Sequence, residues 1–316
     1  MDAPALRIVY FGTPAFAVPP LDALLNSRHT VVAVVSQPDR PRGRGQQVQP
    51  TPTHRIADAH RIPVLQPAKI RDEAFLDEMR RLQPDLGVVA AFGRILPDEL
   101  LAIPRLGMIN VHASILPRYR GAAPVQRAVL AGDAETGVTI MRIVSELDAG
   151  PTFASATEPI PPDATSGEIE RAVSELGARI LLPVVDDLAA GRAQETPQDA
   201  SLATFAPKVT KAEGVLDWNE PASVLHNKVR GLQPWPLAST QKDGARYVIR
   251  RTAVLDESTD LPPGTVIRAK ADDLAVAAGS RTVLRVLEIQ PEGRRPMNVR
   301  DFLAGRALVP GDRFGT

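Results

Sequence analysis

Residues 6–12 read Leu-Arg-Ile-Val-Tyr-Phe-Gly, a short apolar run that ends at a glycine. An apolar pattern of helical period follows over residues 16–25, and residues 31–35 read Val-Val-Ala-Val-Val. Continuous apolar runs of this length are typical of strands buried on both faces of a parallel sheet, and residues 86–91 and 108–112 are similar. Because strand and helix patterns alternate, the sequence predicts an α/β fold with a doubly wound, parallel-rich sheet.

The rest of the first half continues this alternation. The longest helical pattern, 166–189, is predicted to begin with Ser166 as its N-cap, because Glu168 and Glu170 lie in its first turn. The other predicted elements are helices at 51–61 and 72–82 and strands at 138–143 and 152–156.

A second region begins after residues 190–207, which are predicted to form a linker because they carry Gly191, Pro197, Asp199, Ser201 and Pro207. A helical pattern over 220–231 is followed by short β-rich runs with turn residues between them. Short strands at this spacing predict a small β-barrel. The sequence therefore predicts an N-terminal domain at 1–189, the linker, and a C-terminal domain at 208–316. The β-rich runs are 247–249, 264–267, 274–276 and 283–287.

Composition excludes several classes of protein. The 316-residue chain has no cysteine, which excludes disulfides, thiolate nucleophiles and cysteine-ligated metal centres. No apolar run approaches the roughly 20 residues that span a bilayer, and the first residues lack the pattern of a secretory signal, so we expect a cytoplasmic protein. The 37 basic residues balance 37 acidic ones, which is not typical of a general nucleic-acid-binding protein.

The charge is distributed unevenly along the chain. Residues 208–316 carry 17 Lys and Arg against 13 Asp and Glu, so the remainder has the opposite excess. A modest asymmetry of this kind is compatible with a polyanionic partner for the second half and equally with chance.

The loop after the first strand, residues 11–14, does not have the composition of a dinucleotide-binding turn. It reads Phe-Gly-Thr-Pro, with one glycine and with a proline that removes a backbone donor. A bound pyrophosphate needs close backbone approach and free N–H groups. The fold class alone would allow NAD, and this loop argues against it.

Two polar residues, Asn110 and His112, lie on the same side of the predicted strand at 108–112, where ligands bind in open α/β sheets. A lone histidine at a strand end is as often structural as functional, but two buried polar side chains need partners and favour a site. Ser114 lacks the glycine-flanked turn of a serine hydrolase. The other histidines have no ligand spacing with His112, so no metal site is predicted.

Asp148 is the third candidate and lies in Leu-Asp-Ala-Gly, residues 147–150, after another predicted strand. An aspartate before small residues most often forms only a turn. Placed beside an imidazole, however, its carboxylate would orient the ring. Asp148 is therefore a candidate partner of His112.

The segment 107–124 reads GMINVHASILPRYRGAAP and closely resembles the folate-dependent formyltransferases. The resemblance continues in TGVTIM at 136–141 and LDAG at 147–150, and it extends over nearly the whole chain. Within the family, the chain is most similar to the members that act on aminoacylated tRNA. The shorter matches are FGTP at 11–14, QPDRPRGRG at 37–45, Lys208, Asp217-Trp218 and Pro234-Trp235-Pro236.

The resemblance implies a Rossmann-like formyltransferase domain followed by a small barrel of the OB type. It implies 10-formyltetrahydrofolate as the formyl donor and the α-amino group of methionine on initiator tRNA as the acceptor, for translation initiation. Asn110, His112 and Asp148 match the catalytic trio of the family. The residues that match its tetrahydrofolate-binding stretch are Ser114, Ile115, Leu116 and Pro117.

Basic residues in two places are predicted to contact the tRNA. Arg40, Arg42 and Arg44 lie in a loop that resembles the family's insertion at the acceptor end, and guanidinium groups suit phosphates and unstacked bases. Without the resemblance, a solvated flexible loop is the simpler interpretation. Gln46-Gln47 follows where relatives often carry a further basic pair. The candidates in the C-terminal domain are Lys208 and Lys211, with Arg246, Arg250 and Arg251 as further candidates for a basic face. Arg250 and Arg251 are adjacent on a predicted strand and point to opposite faces, so at most one of them fits a given patch.

The chemistry of the trio follows from its functional groups. When an amine attacks a formyl carbon, a tetrahedral oxyanion forms, and donors placed at that charge can contribute about 3–4 kcal/mol each. We expect Asn110 and His112 to be these donors, and Asp148 to hold His112 and help remove the amine proton.

Two other interpretations stay open on the sequence alone. The same trio could formylate a small amine, such as glycinamide ribonucleotide or an amino sugar nucleotide, although the loop at 38–45 and the extra domain favour tRNA. The other is a non-enzymatic RNA-binding module, against which the joint presence of the trio argues. We further expect a monomer, and we expect Trp218 and Trp235 to pack in the core or between domains rather than stack on bases.

Overall fold

The computed structural model describes residues 4–42, 47–305 and 308–315. Its backbone contacts divide the chain into two compact units. The N-terminal unit comprises the described residues of 1–124, 135–159 and 170–207. The C-terminal unit comprises those of 208–316 together with two earlier segments, 125–134 and 160–169.

The elements up to residue 207 alternate between strands and helices, as the apolar pattern predicts. The strands are β1 (Arg7–Gly12), β2 (Thr30–Val35), β3 (Arg40–Arg42), β4 (Gln47–Gln49), β5 (Val64–Leu65), β6 (Leu86–Ala90), β7 (Met108–His112), β8 (Arg120–Gly121), β9 (Glu135–Arg142), β10 (Thr152–Pro159) and β11 (Phe205–Ala206). The helices are α1 (Val18–Leu25), α2 (Pro52–Ala59), α3 (Glu73–Leu82), α4 (Asp98–Leu101), α5 (Pro124–Ala131) and α6 (Ser166–Ala189).

Seven strands form the main sheet of the N-terminal unit, in the order β10-β9-β7-β6-β1-β2-β5. The strands from β7 to β5 are parallel, whereas β9 and β10 are added antiparallel at one edge. This confirms the predicted α/β class and the parallel-rich sheet. Because β7 lies between parallel β6 and antiparallel β9, its carboxyl end is beside the loops that enter and leave that edge of the sheet.

The apolar runs of the central strands form the core because both faces of the sheet are covered. Phe75, Leu76 and Met79 of α3 belong to the same buried cluster as Val9 and Phe11 of β1. Burial of a side chain of this size stabilises the fold by about 1.5–3 kcal/mol. The cluster therefore accounts for much of the hydrophobic stabilisation on that face.

Helix α6 has the predicted bounds but a different cap. The Oγ1 of Thr165 accepts a hydrogen bond from the N–H of Glu168, whose carboxylate accepts from the N–H of Thr165. This reciprocal pair is a capping box, so the prediction of Ser166 as the N-cap is wrong. The Ser166 hydroxyl instead donates to the carbonyl oxygen of Gln233. Further along α6, Gly177 allows the helix to approach strands β7 and β9 closely.

The two ends of the arginine-rich segment are β-strands that pair with each other as a hairpin. Strands β3 and β4 pair antiparallel, with Arg40 opposite Gln49 and Arg42 opposite Gln47. Helix α2 follows at once, capped by Thr51, whose side chain accepts from the N–H of His54. A hairpin joined directly to a capped helix has a fixed base, which the composition of this loop did not indicate.

The C-terminal unit is built on an antiparallel sheet with the strand order β12-β13-β16-β15-β14, with β17 paired to β16. This confirms the small β-rich domain. Trp218 is a central core residue and stacks on Phe314, with ring centroids 5.8 Å apart. The strands are β12 (Ala238–Lys242), β13 (Ala245–Ser258), β14 (Val266–Lys270), β15 (Asp273–Ala277), β16 (Thr282–Pro291) and β17 (Met297–Asn298), and the helices are α7 (Ala222–Gly231) and α8 (Val299–Ala304).

A membrane-crossing helix would have to be both long and apolar. None of the helices within the described ranges meets both conditions.

Candidate active site

The candidate site is built at the carboxyl end of β7. The His112 side chain is 5% exposed, and its Nε2 lies 3.0 Å from the carbonyl oxygen of Tyr119. Since a carbonyl oxygen can only accept, Nε2 carries the proton in this hydrogen bond. The other ring nitrogen, Nδ1, lies 3.8 Å from Oδ2 of Asp148. The structure thus brings these two predicted residues together, at a distance longer than a direct hydrogen bond.

Asp148 lies in the turn after β9, and the backbone around it holds its carboxylate. Its φ of +48° is in the left-handed region, which few non-glycine residues adopt. Its Oδ2 accepts a 2.8 Å hydrogen bond from the N–H of Gly121. Gly121 has a φ of +122°, and a side chain there would clash with the carbonyl oxygen of Ala206. Only glycine therefore fits the position that supplies this donor.

Two residues that contact or face His112 have left-handed backbone conformations. Tyr119, whose carbonyl oxygen binds His112, has a φ of +61°. Tyr119 and Asp148 are thus both held in a sparsely populated conformation, on the two sides of the imidazole. Conformations of this kind persist only where the surrounding structure over-determines them, and they are common at functional sites.

Asn110 lies two positions before His112 on the same strand. It is half-buried, and it pairs in register with Val89 of β6 and Met141 of β9. Among the residues that the structure describes, none forms a hydrogen bond with its carboxamide. Its two N–H donors are therefore available to an incoming group.

The loop 114–117 follows β7 directly and has a fixed conformation. The hydroxyl of Ser114 is buried and donates to the carbonyl oxygen of Arg118 at 2.6 Å. The Oγ1 of Thr139 donates to the carbonyl oxygen of Ser114 at 2.7 Å and accepts from the N–H of Leu116 at 3.2 Å. Thr139 is not among the residues predicted from the sequence. It pairs in register with His112 on the neighbouring strand, and only knowledge of that strand pairing could have indicated that it lies at the site.

The segment predicted as a linker reaches the same site. The Nε2 of Gln198 donates to the carbonyl oxygens of Asp148, at 2.8 Å, and Gly150, at 2.7 Å. Its Oε1 accepts from the guanidinium of Arg120, at 2.9 Å from Nη2 and 3.2 Å from Nε. Arg120 is 4% exposed and lies 3.5 Å from the carboxylate of Glu146. Gln198 is not among the residues predicted from the sequence, because no pattern around it indicates this position.

The residues predicted to contact tRNA lie in both units. Arg40 is exposed on β3, the backbone of Arg42 ends that strand, and Arg44 lies outside the described residues. Lys208 and Lys211 are exposed in the C-terminal unit. The further candidates are Arg246 and Arg251, which are exposed, and Arg250, which is half-buried.

The two tryptophans have different environments. Trp218 is 4% exposed, and its indole N–H donates to Thr240 at 2.9 Å, which confirms the prediction of core packing. Trp235 is 54% exposed, so the same prediction is wrong for it. In the turn between α7 and β12, the core positions are occupied by Leu232 and Ala238, which are fully buried, and the indole between them in sequence stays at the surface.

A polar cluster holds the base of the β3–β4 hairpin. The Oδ1 of Asp39, just before β3, accepts from the N–H of Thr51 at 3.0 Å and from Gln66 at 2.9 Å. Its Oδ2 lies 3.0 Å from Nδ1 of His54. Burial raises the pKa of Asp39, but hydrogen bonds from Gln66, His54 and Thr51 outweigh burial and bring the pKa below its usual value. The carboxylate therefore joins the entry and the exit of the hairpin.

A bound metal ion would need several histidine or carboxylate ligands at one place. Among the described residues, no group of three such side chains is arranged to hold one. The functional groups at the carboxyl end of β7 are the amide of Asn110, the imidazole of His112 and the carboxylate of Asp148.

Both units of the chain match models of one known protein family. Residues 6–185 match the formyl transferase family, and residues 208–307 match the formyl transferase C-terminal domain. The chain therefore belongs to the formyl transferase family.

Two relatives with full-length similarity carry the same name. The methionyl-tRNA formyltransferase of Methylococcus capsulatus is 47% identical over 98% of this chain and 100% of its own. That of Moorella thermoacetica is 46% identical over 98% of this chain and 99% of its own. Similarity of this extent covers both units and the segment between them.

Solved structures with lower identity share the fold. An N-formyltransferase of Helicobacter canadensis, solved with folinic acid and dTDP-3-aminofucose, is 15% identical over 90% of this chain and 99% of its own, with a TM-score of 0.68. HypX of Aquifex aeolicus, solved with tetrahydrofolic acid, is 18% identical over 95% of this chain, with a TM-score of 0.65. The chain spans 47% of that HypX chain, so the likeness concerns one part of a longer protein.

Proposed function

We propose that this protein transfers the formyl group of 10-formyltetrahydrofolate to the α-amino group of methionine on initiator tRNA. The observation that carries the proposal is the full-length identity of 44–47% with proteins named methionyl-tRNA formyltransferase. The side chains that line the end of β7 are compatible with this chemistry. Asn110, His112 and Asp148 are the catalytic residues of the proposal.

The reaction begins when the amine nitrogen attacks the formyl carbon. The carbonyl oxygen then becomes an oxyanion, and the free N–H donors of Asn110 stabilise it. The nitrogen gains a positive charge and must lose a proton. His112 is expected from the sequence to be a second oxyanion donor, but its Nε2 donates to the carbonyl oxygen of Tyr119. The nitrogen left to react is therefore Nδ1, which faces Asp148 across 3.8 Å and acts in proton transfer. Asp148 and His112 together accept the proton.

Collapse of the tetrahedral intermediate completes the transfer. The C=O bond forms again, the bond from the carbon to N10 of the folate breaks, and N10 takes up a proton as it leaves. In the proposal, the pair of His112 and Asp148 passes the proton from the amine to N10. No covalent bond to the enzyme is needed.

The folate is proposed to bind along Ser114, Ile115, Leu116 and Pro117. The hydroxyl proton of Ser114 is committed to Arg118, so this residue shapes the loop instead of donating to the folate. The hydrogen bonds from and to Thr139 fix the loop before the co-substrate arrives. A preformed loop reduces the entropy cost of binding.

The tRNA is proposed to contact Arg40, Arg42 and Arg44 at the hairpin and Lys208 and Lys211 in the C-terminal unit. Arginine suits phosphates and splayed bases, and lysine supplies a point charge for phosphates. Binding through such contacts releases counterions, so affinity falls steeply as salt rises. The proposal also includes a catalytic domain at 1–189, a linker at 190–207, a tRNA-binding OB-like domain at 208–316, a monomeric state and a cytoplasmic location.

The test is formyl transfer by the purified full-length chain, with 10-formyltetrahydrofolate as donor. Initiator Met-tRNA, elongator Met-tRNA, free methionine and small amines, including an amino sugar nucleotide, are compared as acceptors. We expect rapid transfer to the initiator tRNA alone. The variants Asn110→Ala and His112→Ala are each expected to lose at least about 100-fold in kcat. Preference for a small amine, or well-folded variants with wild-type rates, would contradict the proposal.

A further inference from the structure

The segment 196–206 is joined to the loops around the candidate site by backbone hydrogen bonds. Thr196 forms a bridge with Thr152 at the start of β10. The N–H of Arg120 donates to the carbonyl oxygen of Thr204 at 2.8 Å. The N–H of Tyr119 donates to the hydroxyl of Thr204 at 2.9 Å. Strand β11 then pairs with β8. This segment therefore lies against the same residues, 119–121, that bind His112 and Asp148.

Gln198 is the side chain through which this segment reaches Asp148. A guanidinium only donates hydrogen bonds and a carbonyl oxygen only accepts them. The contact with Arg120 therefore assigns the oxygen of the Gln198 amide, and the contacts with the carbonyls of Asp148 and Gly150 assign its nitrogen. All three contacts agree on one orientation of the amide, at distances of 2.7–3.2 Å.

We propose that Gln198 is a positioning residue for formyl transfer, which sets the place of the Asp148 carboxylate relative to His112. This inference rests on the proposed function. Asp148 has a left-handed backbone conformation that is unfavourable on its own. Gln198 holds that backbone from one side through two carbonyl oxygens, while Gly121 holds the carboxylate from the other.

The expected effect follows from the geometry of proton transfer. The carboxylate stands 3.8 Å from Nδ1 of His112, and it is useful there only if it keeps its place while the amine enters. A displacement of 1 Å in such a site can lower a rate about 100-fold. Loss of the two hydrogen bonds to the Asp148 turn should therefore lower kcat about 10- to 100-fold, and KM for both substrates should stay within about twofold because the binding loops are unchanged.

The pair Gln198→Glu and Gln198→Ala separates positioning from stability. Glutamate keeps an acceptor for the buried Arg120 and gains an ion pair with it, but it cannot donate to the two carbonyls. Alanine loses all the contacts without adding a charge. A purely structural role predicts wild-type kcat in Gln198→Glu, whereas positioning predicts a loss in both variants. Ser201→Ala is the matched control, because Ser201 is exposed in the same segment and keeps its backbone hydrogen bond to Asp199.

The experiment measures kcat and KM for initiator Met-tRNA and for 10-formyltetrahydrofolate, the pH profile of kcat, and the thermal midpoint of each variant. The expected result is a folded Gln198→Glu protein with kcat lowered at least 10-fold, an altered pH profile, and a Ser201→Ala protein like the wild type. Wild-type kcat in a folded Gln198 variant overturns the inference, and so does unfolding of both variants. An inactive wild-type chain would instead refute the proposed function.

Discussion

Two histidine–aspartate pairs of the N-terminal unit differ in how completely the imidazole is bound. In the first, His29 accepts from the N–H of Leu6 at Nδ1, 3.0 Å away, and its Nε2 lies 3.2 Å from Asp186. In the second, His112 is bound at Nε2, while Nδ1 stands 3.8 Å from Asp148. The pair with both nitrogens bound can only hold the fold together. The pair with one nitrogen open can accept and release a proton.

The largest expected effect is at the open pair. Asp148→Asn keeps the size of the side chain and its acceptor for the N–H of Gly121, but it removes the negative charge. In the proposed mechanism this carboxylate takes part in proton transfer, so kcat should fall about 1,000-fold. Steady-state formylation of initiator Met-tRNA measures this effect.

The stability of Asp148→Asn completes this test. Since the hydrogen bond to Gly121 is kept, the free energy of unfolding in urea should stay within about 1 kcal/mol of the wild type. A folded variant with normal kcat would remove Asp148 from the mechanism. If Asp148→Asn lowers the free energy of unfolding as much as a variant of the closed pair, His29 and Asp186, the two pairs do not differ as proposed.

The closed pair should show the opposite behaviour. The His29 side chain is 1% exposed, and burial lowers the pKa of His29, although Asp186 raises it in part. His29→Leu leaves the N–H of Leu6 without an acceptor, so the free energy of unfolding should fall by about 2 kcal/mol. Urea denaturation measures this loss. The kcat of the folded fraction should not change, and a loss of kcat would contradict a purely structural role.

A closed ion pair in the C-terminal unit is expected to have a smaller effect. Arg127 binds both carboxylate oxygens of Glu213, at 2.5 and 3.2 Å. This hydrogen bonding is the main reason why the pKa of Glu213 is lowered from 4.5 to about 2, and burial opposes it. Because the Glu213 side chain is 32% exposed, solvent screening reduces the contribution, and Arg127→Ala should cost about 1 kcal/mol at pH 7.

The pH dependence of this pair has a definite sign. A lowered pKa means that the unfolded chain binds the proton more readily, so the stabilisation is present above pH 4.5 and is lost as pH falls towards 2. The difference in unfolding free energy between the wild type and Arg127→Ala should therefore shrink between pH 5 and pH 3. Denaturation curves at several pH values measure it, and a constant difference would mean that the charge of Glu213 contributes nothing.

The sheet could be predicted from sequence, but the second half of the site could not. The runs at 31–35 and 86–91 contain no polar side chain because both faces of the sheet are covered, and this pattern is local. Asn110 and His112 follow from the predicted strand at 108–112. Gln198 and Thr139 contact backbone carbonyls of distant residues, and a hydrogen bond to a backbone group leaves no trace in the sequence of its partner.

Composition also did not indicate the long-range contacts of two segments. Residues 190–207 have the prolines and small polar residues of a linker, yet β11 pairs with β8. Strands β3 and β4 are rich in arginine and glutamine, and the carboxylate of Asp39 accepts hydrogen bonds from Thr51, just after β4, and from Gln66. In both segments the stabilising partners are far apart in sequence, which periodicity over a short window does not detect.

The smallest expected effect concerns a third histidine–aspartate pair, at the base of that hairpin. Asp39→Asn keeps an oxygen acceptor for Thr51 and Gln66, but it loses the negative charge and the second carboxylate oxygen, which contacts Nδ1 of His54. Arg40 follows it directly, so we expect KM for initiator Met-tRNA to rise about threefold, which corresponds to about 0.7 kcal/mol, while kcat is unchanged. Steady-state kinetics at fixed salt measures it.

The matched control for this variant is Asp58→Asn. Asp58 lies 3.4 Å from the other nitrogen of His54 and is 66% exposed. It therefore shares the imidazole with Asp39 and lies on α2, away from the two ends of the hairpin. If Asp39→Asn and Asp58→Asn raise KM equally, the increase comes from the charge on His54. The contacts by which Asp39 connects the two ends of the hairpin are then not its cause. If Asp39→Asn alone lowers kcat, this pair takes part in catalysis, and the contrast between open and closed pairs fails.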